Sequence, residues 1–81
     1  MNTYPIPETL GHKYQGSGHA LAAITAGQVV DIVYLRDVLP DFNGDIVSVL
    51  DDDRLAPTAR YLSALGSVSI GTVVRGEFVE L

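Results

Sequence analysis

The sequence predicts a mainly β fold, a small β-barrel or sandwich with one or two short helices and an extended N-terminal arm, and three stretches carry that expectation. QVVDIVYL (28–35) and SVSIGTVVRGEFVEL (67–81) are dense in β-branched and aromatic residues, which fit a pleated, half-buried surface. TYPIPETL (3–10) contains Pro5 and Pro7, which fix φ, remove two backbone donors and hold the chain extended. The expected organisation is an arm and glycine-rich hinge over residues 1–18 and a single compact β-rich domain over 19–81.

Taken in order, the arm places Tyr4, Ile6 and Leu10 on even positions, while its prolines exclude it from the middle of a sheet. GHKYQGSG (11–18) follows, and Gly11, Gly16 and Gly18 imply a flexible loop. SGHALAAITAG (17–27) carries a helix pattern, with Ser17 as N-cap, Leu21 and Ile24 three apart and Gly27 as the stop; LAAIT reads equally as a strand. QVVDIVYL is expected to be a central strand with Val30, Ile32 and Tyr34 on one face. Pro40 ends pairing after it, and Asn43-Gly44 is a strong turn signal of the hairpin type. DIVSVL (45–50) reads as a second strand, apolar enough to be buried on both faces. PTARYLSAL (57–65) reads as a helix opened by Pro57, with Ala59, Leu62 and Leu65 as its apolar stripe and Gly66 as its end. The last segment alternates, Val68, Ile70, Thr72 and Val74 sharing a face, and Arg75-Gly76 mark a hairpin turn or bulge that brings Val73 close to Phe78.

Composition narrows the function classes. A chain of 81 residues buries only about 60–65% of its unfolded surface, so oligomerisation is the natural reinforcement. There is no cysteine, which excludes disulfides, thiolate catalysis and thiolate zinc sites. The net charge is −5 and Lys13, Arg36, Arg54, Arg60 and Arg75 are scattered, which argues against nucleic-acid binding. No apolar run is long enough to span a membrane, and MNTYPIPETL lacks the basic and apolar regions of a secretory signal. The expected location is the cytoplasm, or a virion assembled there.

Four stretches invite a chemical reading. Asp51, Asp52 and Asp53 end an apolar run, and IVSVLDDDR is similar to the first strand of receiver domains, but only 28 residues follow Asp53, too few for the βα units such a domain needs. Acids that close one element and precede a helix, whose N-terminal dipole favours negative charge, explain them better. DFNGD (41–45) spaces oxygens like the opening of a calcium loop, but Ile46 stands where that loop needs glycine. GHKYQGSG has the glycines of a phosphate loop without its lysine or preceding strand. His12 and His19, seven apart, have no carboxylate or second ligand at a useful spacing. No catalytic, cofactor-binding or metal-ligating set is therefore expected, and the protein is not expected to be an enzyme.

The arm remains. Apolar Tyr4, Ile6 and Leu10 on a stiff extended segment make sense as contacts to a neighbouring protein, at a sheet edge or groove. The arm TYPIPETL, the segment AGQVVDIV and the ending SIGTVVRGEFVEL together resemble small bacteriophage capsid-decoration proteins, in which an extended N-terminal arm precedes a compact β-rich domain. That resemblance implies a non-enzymatic virion component that self-associates and binds a capsid shell, with Tyr4, Ile6 and Leu10 as partner contacts. The alternative is a small acidic inhibitor that mimics nucleic acid and blocks a host enzyme, with Asp41, Asp45, Asp51, Asp52, Asp53, Glu77 and Glu80 on one face.

Overall fold

A computed structural model describes residues 2–81, residues 12–15 by their backbone alone. Five strands, β1 (Thr3–Pro5), β2 (Gly18–Thr25), β3 (Gln28–Tyr34), β4 (Ser67–Val74) and β5 (Glu77–Glu80), form one antiparallel sheet in the order β1-β5-β4-β2-β3. The sheet curls into a half-barrel. It is thus barrel-like and not a sandwich, because its outer face is covered by helical segments and not by a second sheet. These are two single turns, α1 (Leu35–Val38) and α2 (Ile46–Val49), a short 3₁₀ turn (Asp53–Leu55) and the helix α3 (Ala56–Ser63).

Side-chain alternation supplies a core on each face. Ala20, Ala22, Ile32, Val73 and Phe78 point into the curl with Ile6. Leu21 and Ala23 point the other way and meet Leu35, Leu39, Val49, Leu55 and Leu62 from the helical layer. β2 is therefore buried on both sides over Ala20–Ala23, and its alanines let both layers approach closely. That burial decides the open choice for 17–27. A helix would expose part of this surface, whereas a strand pairs with β3 and β4 at once.

Three sequence expectations are corrected. DIVSVL is not a strand: Asp45 accepts hydrogen bonds from the backbone N–H groups of Val47 (3.1 Å) and Ser48 (3.4 Å) and caps α2. Ile46 and Val49 turn inward while Val47 and Leu50 face solvent, the period of a helix and not of a strand. QVVDIVY is an edge strand, not a central one. Its single-face pattern also fails at Val30, which is exposed, because a bulge in the β2–β3 ladder pairs Ile24 with Val29 and Ala23 with Asp31. The extra residue reverses the alternation, turning Val29 inward. The segment after the arm is a 3₁₀ helix (Glu8–Gln15) broken at Gly11 and not a loop.

Other expectations hold. Arg75 (φ 52°) and Gly76 (φ 77°) form a tight two-residue turn of the type that matches strand twist. It sets Val73 opposite Phe78 in register, both fully buried. Ala26 and Gly27, also at positive φ, make the equivalent turn between β2 and β3. The helix expected over 57–65 is present as α3 but ends at Ser63, so of the expected stripe Leu62 is fully buried while Leu65, past the end, is exposed; the Gly66 N–H donates to the Leu62 carbonyl (3.1 Å) there.

Candidate functional site

The arm lies on its own sheet. Tyr4 is registered with Phe78 and Thr3 with Val79, and the Ile6 N–H donates to the Gly76 carbonyl at 3.0 Å. Ile6 has no exposed surface, and Tyr4 and Leu10, partly buried, pack against the same core. The three residues proposed from sequence as partner contacts are thus brought together, around Phe78 of the same chain.

The acidic stretch is organised by Arg54. Its Nε and Nη2 donate to the Asp52 carboxylate (3.1 and 2.9 Å), and its Nη1 and Nη2 reach Asp41 (3.0 and 3.4 Å). Asp52 also accepts from the Arg54 backbone N–H (2.9 Å), capping the 3₁₀ turn that leads into α3. Asn43 Oδ1 accepts from the Asp45 N–H (3.0 Å), and Ser48 Oγ donates back to the Asp45 carbonyl (2.9 Å). With 45–50 coiled into a helical turn, Asp41 and Asp52 stand at one guanidinium, where a strand would have held them about 17–20 Å apart. The Asp-x-Arg spacing of Asp52 and Arg54 was the visible signal for half of this staple; nothing local points to Asp41.

This geometry is structural chemistry: one planar cation shared by two carboxylates, closing the 41–54 segment on itself. Side-chain hydrogen bonds from Arg54 hold both carboxyls below the usual carboxylate range and raise the guanidinium pKa further. A depressed folded-state pKa contributes stability above the unfolded pKa, near 4, and loses it as pH falls through the folded value. In Arg54→Gln that contribution is absent at every pH. The stability difference between wild type and variant, measured by urea denaturation, is expected to be modest, as for exposed ion pairs, largest above about pH 4, and to vanish on further acidification. A difference that grows as pH falls contradicts the staple.

The remaining candidates disperse. Asp51 and Asp53 are exposed and have no ion-pair partner among the described residues. Among those residues no three histidines or carboxylates converge as a metal site would require. His19 packs its ring edge-on against Phe42, centroids 5.5 Å apart, while the side chain of His12 lies outside the described residues. The acidic residues do not make one face: Glu80 turns to the inner side of the sheet, where Ser69 Oγ (2.6 Å) and Asn2 Nδ2 (3.1 Å) donate to it. Asp41, Asp52 and Glu80 are each engaged within the chain. Tyr61 of α3 donates to Asp31 of β3, tying the helix to the edge strand and raising the phenol's pKa. The chain matches no protein-family model and no curated protein sequence. No helix among the described residues is long and apolar enough to cross a membrane.

Proposed function

We propose that the protein is a non-enzymatic assembly protein, of the capsid-decoration kind or another virion component, that engages neighbouring subunits through its N-terminal arm. The observation that supports this reading is the attachment of β1. A three-residue strand at the sheet edge, followed by Ile6 buried in the core cluster that contains Phe78, is joined to the body by a segment with glycines at 11, 16 and 18. Every contact that the arm makes with its own β5 is available, unchanged, on the β5 of a second copy. Exchange therefore costs little beyond association itself and links subunits into dimers, rings or a lattice, as element swapping does.

The absence of native cysteine makes the test direct. Thr3 and Val79 face each other at a position whose flanking pairs carry the ladder bonds, where Cα atoms lie about 4.5 Å apart, within disulfide reach. Thr3→Cys and Val79→Cys variants, purified separately, mixed at high concentration and oxidised, are expected to give a mixed disulfide dimer in excess of either homodimer. If mixing yields no such excess, while the double variant closes only within one chain at every concentration, self-assembly through the arm is wrong.

A further inference from the structure

A second feature lies where β2 begins and β3 ends. A hollow of about 190 Å³ is lined there by Ser17, Gly18, His19, Tyr34, Arg36 and Phe42. Much of its lining is aromatic: Tyr34, largely buried, and the edge-packed pair His19 and Phe42. The Arg36 guanidinium lies over the Tyr34 ring, 5.6 Å from its centroid. Arg54 is consumed by two carboxylates, but Arg36 has no carboxylate partner among the described residues, the adjacent Asp37 included.

We propose that this hollow binds a monocarboxylate carried on a flat aromatic body. A guanidinium held over a ring by its charge leaves N–H groups free, and a planar carboxylate accepts two of them in parallel. The Ser17 hydroxyl, which also lines the hollow, is a further donor. The volume suits one ring, since a protein cavity of about 150 Å³ takes up benzene. A dianion such as phosphate is disfavoured: one Arg balances a single negative charge, and the chain as a whole, at −5 with Arg36 included, repels a second. The shared chemistry has two sources, a free aromatic acid or the C-terminal carboxylate of a polypeptide ending in an aromatic residue.

The test is titration of the full ¹⁵N-labelled chain, followed by NMR, with benzoate, benzamide, inorganic phosphate, and short peptides ending in Phe as the free acid or the amide. Benzoate is expected to produce saturable shifts at the amides of Gly18 and His19 and at Arg36 Nε, with benzamide and phosphate at least about tenfold weaker, the size of a lost charge-assisted hydrogen bond. Arg36→Gln should lose the benzoate response while keeping a dispersed spectrum, because Arg36 is exposed. Arg36→Lys should fall between the two, retaining charge but not the fork. A free-acid peptide that binds more tightly than benzoate assigns the site to a polypeptide terminus; one that binds no more tightly assigns it to a free acid. Benzamide matching benzoate, shifts scattered without saturation, or a benzoate response unchanged in Arg36→Gln overturns the proposal.

Discussion

Replacing Ile6 by alanine is expected to cost about 2–5 kcal/mol of stability, the range for truncating a fully buried aliphatic side chain. Ile6 has no exposed surface and shares its cluster with Phe78, Ile32 and Val73. A domain of 81 residues has roughly 4–12 kcal/mol in total at about 0.05–0.15 kcal/mol per residue, so this one change removes a large share. Urea denaturation followed by circular dichroism measures it. Removal of residues 1–10 should do more damage still, exposing Phe78 and stripping the outer edge of β5. A loss below about 1 kcal/mol for Ile6→Ala would mean that the arm is not seated in a core at all. If arms exchange between copies, the same loss appears together with a concentration-dependent midpoint, because seating the arm and associating become one equilibrium.

Gly71→Ala should be comparably severe. A methyl group at Gly71 would stand 2.9 Å from the Phe78 ring and from the Val79 carbonyl carbon, and closer still to the carbonyl oxygen. The ring can tilt, but the carbonyl belongs to the β5 backbone and can yield only if β5 moves away from β4. Because β1 is held by β5, that displacement loosens the arm as well. The expected loss is about 3 kcal/mol or more, at the upper end for overpacking. Hydrogen exchange locates it: the amides of Phe78 and Val79 should lose protection before those of β2. Full protection of β5 in the variant would mean that the strands do not approach as described.

Much of the fold was legible because the rules that produce it act over a few residues. Arg75-Gly76 turns the chain because glycine accepts positive φ, and the alternating segments beside it then pair with Val73 opposite Phe78. Pro57 and Leu62 mark α3 by the same kind of local logic. The candidate site was less legible. Tyr4, Ile6 and Leu10 stood out as an apolar set in need of a cover, but no spacing names what covers them, and in the single chain it is the core cluster that contains Phe78, about seventy positions away. Arg36 passed as a scattered surface cation, since its meaning depends on the Tyr34 ring beneath it and on Phe42 in the lining of the same hollow.

Local residue chemistry was enough to mark the β character of 28–35 and 67–81, the reversal at 75–76, the helix read over 57–65 and the acidic, cysteine-free composition. The tertiary structure alone decided that Gly18–Thr25 is a strand, that Ile46–Val49 is a helical turn, that β3 lies at an edge, and that Asp41 and Asp52 share Arg54. The physical reason is the range of the competing forces. LAAIT and DIVSVL have local propensities too evenly balanced to choose a state. For the first, strand partners on both sides and burial on both faces settle the choice. For the second, Ile46 and Val49 pack into the cluster on the outer face of the sheet, and the Asp45 cap and that inward turn prevail.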